Sequence, residues 1–139
     1  MQGLYVITPA SAACPDRLAD AVEEALQGGA SVVQFRHKSP DWALKKALAE
    51  ATLAVCQHHG VPLLINDSTQ LAIEIGADGV HLGQTDGSLI EARAQLGAHA
   101  LIGRTCHDSK ALMQAAVAEG ATYCAFGRLF PSHTKPDAS

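Results

Sequence analysis

The sequence predicts an α/β fold of the (βα)8, or TIM, barrel class, with about six βα units present. Three observations predict it. Short β-branched runs alternate with Ala-rich helical segments, every second strand repeats one pattern, and the unusual polar residues cluster directly after strands. Strand runs that are apolar on both faces and separated by helices make a parallel sheet covered by helices. At 139 residues and 47% hydrophobic, the chain supports one core, so residues 1–139 are read as a single domain.

The first strand is GLYVIT (3–8), followed by a helical pattern over 16–28. SVVQFR (31–36) is the second strand, and a helix over 40–58 follows it. PLLIN (62–66), DGVHL (78–82), ALIGR (100–104) and TYCAF (122–126) are the third to sixth strands, with helices near 68–75, 87–97 and 108–119. In GGASVVQFR, IGADGVHLG and EGATYCAFG a helix ends in glycine, an alanine follows, and a strand begins. Gly29, Gly76 and Gly120 suit the left-handed position that closes a helix. Repetition on every second strand fits a barrel whose alternate strands fill alternate interior layers, and a flat doubly wound sheet does not require it. Neither G-x-G-x-x-G nor a P-loop occurs. A closed barrel needs eight strands and roughly 200 residues or more. Two readings remain, an open six-stranded sheet or a barrel lacking its last two units, and the repeat favours the barrel. With six strands, open apolar edges are expected at GLYVIT and TYCAF, and these invite association into a homo-oligomer.

Composition removes several function classes. Net charge is −4, the ten Lys and Arg are scattered, and the aromatics are three Phe, two Tyr and one Trp, so no basic aromatic groove for nucleic acid is expected. No apolar run approaches the roughly 18 residues of a membrane span. The start MQGLYVITPASAACP has no basic region before Arg17, which argues against an export signal. Cys14, Cys56, Cys106 and Cys124 show no C-x-x-C spacing and read as small residues of a reduced, cytoplasmic protein.

In a βα barrel the chemistry lies on the loops after the strands. Those loops read QFRHKS, INDS, HLGQTDG, GRTCHD and FGRLFPSHTK, whereas the opposite ones (QGGA, HHGV, IGAD, EGAT) are plain turns. Gln34, Arg36 and Lys38 alternate and so share one face as the second strand ends, which suits a pyrophosphate or a solvated basic strand end. Asp67 and Asp86 follow the third and fourth strands, which lie roughly 4.8 Å apart, so the two carboxylates can share one ion. Carboxylates opposite cations around a pyrophosphate are the usual magnesium arrangement. Asp67 or Ser68 also reads as the N-cap of the following helix. Thr105 and His107 follow the fifth strand, where either can cap the fifth helix. His81 faces inward as a satisfied core histidine, and His58 and His59 are surface residues without an assigned role. Ser132, His133, Thr134 and Lys135 form a polar loop that grips phosphate or makes a hydroxyl turn before Pro136.

Taken together, VQFRHK, LLINDS, GADGVHLGQTDGSL, IGRTCHD and FGRLFPSHTKP resemble the thiamine phosphate synthases, in order and spacing, over essentially the whole chain. The resemblance implies a βα barrel that joins hydroxymethylpyrimidine diphosphate to thiazole phosphate, releasing pyrophosphate with magnesium. It implies that the stretch Gln34, Phe35, Arg36, His37 and Lys38 holds the pyrimidine diphosphate, with Asn66, Thr105 and Lys135, and that Asp67 and Asp86 hold magnesium. Helix capping would then be a secondary service of Asp67. Arg36, Lys38 and Lys135 are the implied catalytic cations, stabilising departing charge. Ser132, His133 and Thr134 stand where the family more often has Thr-Pro-Thr and would bind the thiazole phosphate, and Thr105 stands where it usually has Ser. Two alternatives accompany this reading: a thiazole tautomerase-like isomerase using His107, and a non-catalytic chain that binds a phosphorylated ligand. With the loops of two further units missing, little or no synthesis is expected from these 139 residues alone.

Overall fold

The computed structural model describes residues 2–127. Its elements alternate without interruption: β1 (Leu4–Ile7), α1 (Pro15–Gln27), β2 (Ala30–Phe35), α2 (Trp42–His59), β3 (Leu63–Asn66), α3 (Thr69–Ile75), β4 (Gly79–Leu82), α4 (Leu89–Leu96), β5 (Leu101–His107), α5 (Lys110–Ala118) and β6 (Tyr123–Phe126). The six strands are parallel and lie in the order β1-β2-β3-β4-β5-β6. That order has no reversal, so the sheet is singly wound, unlike the 3-2-1-4-5-6 order of a doubly wound fold.

The sheet also curls. At about 4.8 Å per strand, a flat sheet would separate β1 from β6 by roughly 24 Å. Tyr5 of β1 and Tyr123 of β6 instead hydrogen-bond hydroxyl to hydroxyl at 2.6 Å, with ring centroids 5.8 Å apart. The first and last strands therefore face one another across an interior, and this is a barrel wall. Among the described residues β1 and β6 each pair on one side only.

Local chemistry explains the element ends. Asp41, Ser68, Ser88 and Ser109 each accept a backbone N–H of the first turn of their helix, satisfying donors a helix start leaves free. Pro15 opens α1, where its missing N–H is not needed. Gly60 and Gly76 take the left-handed conformation after α2 and α3. One expectation changes here. β5 continues to His107, so Thr105 and His107 are strand residues, and Ser109 caps α5 by accepting from the Leu112 N–H at 3.1 Å. Of the two caps the sequence offers for α3, Ser68 is the one used, accepting from the Leu71 N–H at 3.1 Å, so the Asp67 carboxylate is not used up in capping.

The main core lies between the sheet and the helices, where Val33, Phe35, Leu63, Ile65, Val80 and Ile102 pack against Leu48, Leu71 and Ala116. Each fully buried Leu or Ile is worth about 2–3 kcal/mol. The opposite side of the sheet is tighter in places. Gly79 pairs with Leu101, and a β-carbon there would overlap the Leu101 backbone. Gly79→Ala is expected to cost about 3 kcal/mol by overpacking, read as a lowered urea midpoint. An unchanged midpoint would mean that β4 and β5 have slack at this pair.

Candidate active site

Strand alternation sorts the residues at the end of β2. Gln34 points into the interior, 3% exposed, and its Nε2 donates to the Tyr5 hydroxyl at 2.7 Å. Phe35 points the other way, into the core under the helices. Arg36 returns to the interior side at the mouth, where the Thr8 hydroxyl braces its backbone by accepting the Arg36 N–H at 3.0 Å. His37 is buried, hydrogen-bonded to the Ala12 carbonyl at 2.6 Å and accepting the Ser39 N–H at 3.2 Å. Lys38 lies beyond the strand, and its N–H donates to the Ala10 carbonyl at 3.3 Å. Gln34 and Arg36 thus share a face as their spacing predicts, whereas Lys38 is carried into a neighbouring groove of about 650 Å³ with Ser11 and Ser39.

A cavity of about 330 Å³ opens at the carboxyl ends of β2 to β5, lined by Arg36, Asn66, Asp67, Asp86, Thr105 and His107 among others. Asn66 ends β3 in register with His81. Asp67 follows with a φ of 68°, a left-handed conformation that Asp tolerates better than most residues. Its N–H donates to the His81 carbonyl at 2.9 Å, which turns its side chain into the cavity mouth. The Asp67 carboxyl is raised to about 6, first by partial withdrawal from water and then by Asp86, whose carboxyl is near enough to share its proton. Lys45 and Arg36 pull in the other direction. Two acids in contact beside cations make a site that gains from a divalent ion, and hard carboxylate oxygens suit magnesium. Among the described residues no group of three or more His, Cys, Asp or Glu is arranged for a metal. The pair would leave most of an ion's coordination to water and phosphate oxygens.

Behind the mouth runs a chain of side chains that the loop-centred sequence reading does not contain. From Gln34 it passes through the Tyr5 and Tyr123 hydroxyls to His81 Nδ1 at 2.7 Å, and from His81 Nε2 to the Thr105 hydroxyl at 2.8 Å. Tyr5 and Tyr123 are the only tyrosines of the chain, and both stand on strands, which was the available signal. Gly103 makes room for the Tyr123 ring, because a β-carbon there would strike it. Burial lowers the His81 pKa to about 4, with Arg104 acting in the same direction and Asp86 against it. Burial likewise raises both tyrosines, so the network is neutral at pH 7.

This gives a pH prediction. A histidine whose folded pKa is depressed stabilises the fold above its unfolded pKa, and that contribution is lost as pH falls. The window here runs from the ordinary 6.5 down to about 4, and the loss across it is about 3 kcal/mol. His81→Gln is expected to remove most of that acid slope in urea unfolding at pH 4.5 and 7. An unchanged slope would mean that His81 is not held neutral.

Of the residues singled out in the sequence, Arg36, Asn66, Asp67, Asp86 and Thr105 meet around one cavity. Gln34 lies beneath it, Phe35 and His37 are packed behind it, and Lys38 lines the adjoining groove. Ser132, His133, Thr134 and Lys135 lie outside the described residues. His59, given no role, ties α2 to α1 through a 2.6 Å contact with Glu23. No helix among the described residues is long and apolar enough to cross a membrane.

The family model described as thiamine monophosphate synthase matches residues 4–139. The chain is 51% identical over 136 residues to the thiamine-phosphate synthase of Marinobacter nauticus, covering 98% of this chain and 61% of that protein. It is 50% identical over 138 residues to the thiamine-phosphate synthase of Methylococcus capsulatus, covering 99% and 61%. Among solved structures, a thiamine phosphate pyrophosphorylase from Pyrococcus furiosus superposes with a TM-score of 0.79 at 27% identity, covering 92% of this chain and 61% of that one. The chain thus spans about three-fifths of the length of these relatives.

Proposed function

The chain belongs to the thiamine monophosphate synthase family, and from that premise we propose that it serves the condensation of hydroxymethylpyrimidine diphosphate with thiazole phosphate. The products are thiamine phosphate and pyrophosphate, and the setting is the cytoplasm. The observation that carries the proposal is the contact of Asp67 with Asp86 beside Arg36 at the ends of adjacent strands.

In this reading Asp67 and Asp86 hold magnesium, which when bound neutralises charge on the diphosphate. Arg36 and Lys135 grip the diphosphate oxygens, Lys38 adds its charge from the adjoining groove, and this positive charge stabilises the leaving group as its bond to the exocyclic methylene breaks. Gln34, Asn66 and Thr105 orient the pyrimidine and its diphosphate. Phe35 and His37 serve the same substrate from behind, by fixing the strand end that aims Gln34 and Arg36. Ser132, His133 and Thr134 hold the thiazole phosphate, so that the ring nitrogen lies close to the methylene carbon and attacks it. Rate then comes from positioning and from stabilised departing charge, and no protein nucleophile is required.

His107 favours one second reading. It lines the same cavity and has a φ of 52°, a geometry that would also serve an isomerase working on the thiazole alone. Incubating the protein, extended to the full length of its relatives, with each substrate singly and with both separates the two. A synthase forms thiamine phosphate and pyrophosphate in equal amounts, only with both substrates and magnesium. Conversion of a thiazole phosphate without the pyrimidine would replace the proposal with the isomerase.

A further inference from the structure

Arg104 is the one charged residue in the outer layer of β5. It is 6% exposed, it lines a small cavity with Gln84, Ser88, Leu112, Ala116 and Glu119, and among the described residues it forms no ion pair, with Glu119 or any other acid. A buried guanidinium that pairs with no carboxylate is costly. What it does contact is specific. Its two terminal nitrogens donate to the Gly83 carbonyl at 2.6 Å and to the Gly87 carbonyl at 2.9 Å. Those two carbonyls bracket the loop that carries Asp86.

Three more bonds tie the same loop. The Gly83 N–H donates to Asp86 Oδ2 at 2.7 Å, and the Asp86 N–H donates back to the Gly83 carbonyl at 3.2 Å. Gln84 Nε2 donates to the Thr105 carbonyl at 2.5 Å, so neighbouring residues of β5 fasten the loop at its base and over the mouth. A β-carbon at Gly83 would lie 2.7 Å from Asp86 Oδ2 and would push that carboxylate aside.

We propose that Arg104 is a positioning residue for Asp86: its planar fork spans both ends of the β4–α4 loop and holds the Asp86 carboxylate toward Asp67. An ammonium is a point donor on a flexible stem and cannot fix two carbonyls in one plane, which is why an arginine suits the position. The proposal rests on the reading of Asp67 and Asp86 as a cation pair.

The test uses Arg104→Met and Arg104→Lys in the full chain. The first readout is hydrogen exchange of the Gly83 and Asp86 amides in the free protein, and the second is calorimetric binding of inorganic pyrophosphate with and without magnesium. Both variants are expected to exchange at least about tenfold faster in the loop while β2 and β3 are unchanged. Both are also expected to bind pyrophosphate with magnesium roughly 10- to 100-fold more weakly, the usual scale for residues that orient a ligand, and to keep magnesium-free binding within about twofold. Wild-type exchange, wild-type magnesium-dependent affinity, or full recovery by lysine would each overturn the role. If the unaltered protein binds pyrophosphate no better with magnesium, the cation pair falls, and loop exchange alone decides whether Arg104 holds the loop. The lysine variant keeps the charge and most of the bulk, so a methionine variant that fails to fold leaves the test intact.

Discussion

Asp67→Ala and Asp86→Ala, made singly in the protein extended to the full length of its relatives, are each expected to lower thiamine phosphate formation by about a thousandfold, the scale of losing a preorganised charge-stabilising group. Neither loss should be recovered by raising thiazole phosphate, because the pair acts on the diphosphate of the other substrate. The structural reason is the approach of the two carboxyls, which adds to partial burial in raising Asp67 to about 6. Removing Asp67 relieves that repulsion, so Asp67→Ala should be folded and no less stable than the parent near pH 7, whereas Asp86→Ala also loses the bond from the Gly83 N–H and should be folded but about 2 kcal/mol less stable. Loss of activity far beyond any loss of stability is the signature, measured by initial rates beside a urea titration. Parental turnover in either variant would remove the metal assignment.

Arg36→Ala is expected to weaken the pyrimidine diphosphate by about a hundredfold, the upper range for a hydrogen bond to a charged group, with little change for the thiazole phosphate. Arg36 lines the cavity with Asn66, Asp67 and Asp86, and Thr8 fixes its backbone. Calorimetry with each ligand separately decides the point. Equal losses for both would mean that the two half-sites are misassigned.

Strand order and helix positions were legible because they depend on periodicity and on glycine and serine punctuation. The period-2 alternation correctly paired Gln34 with Arg36, and the glycine repeat favoured a barrel before the Tyr5–Tyr123 contact showed the curl. Other features were not legible, for definite reasons. Lys38 leaves the shared face because alternation stops where the strand stops, after Phe35. The capping role offered to Asp67 went to Ser68 because a left-handed turn at Asp67 aims its carboxyl elsewhere. The expected fifth strand stops at Arg104 because Thr105 and His107 look like loop residues, although Thr105 is tied to His81 inside the sheet. Lys45 escaped notice altogether. It lies on α2 and reaches Asp67 only through the fold.

The most direct measurement is a crystal structure of the full chain with manganese in place of magnesium and the pyrimidine diphosphate, located by anomalous scattering. The account predicts one peak between the carboxylates of Asp67 and Asp86, with metal–oxygen distances of roughly 2.1–2.2 Å and diphosphate oxygens completing the shell toward Arg36. A peak away from both aspartates, or a diphosphate seated without metal in the groove of Ser11 and Ser39, would contradict it.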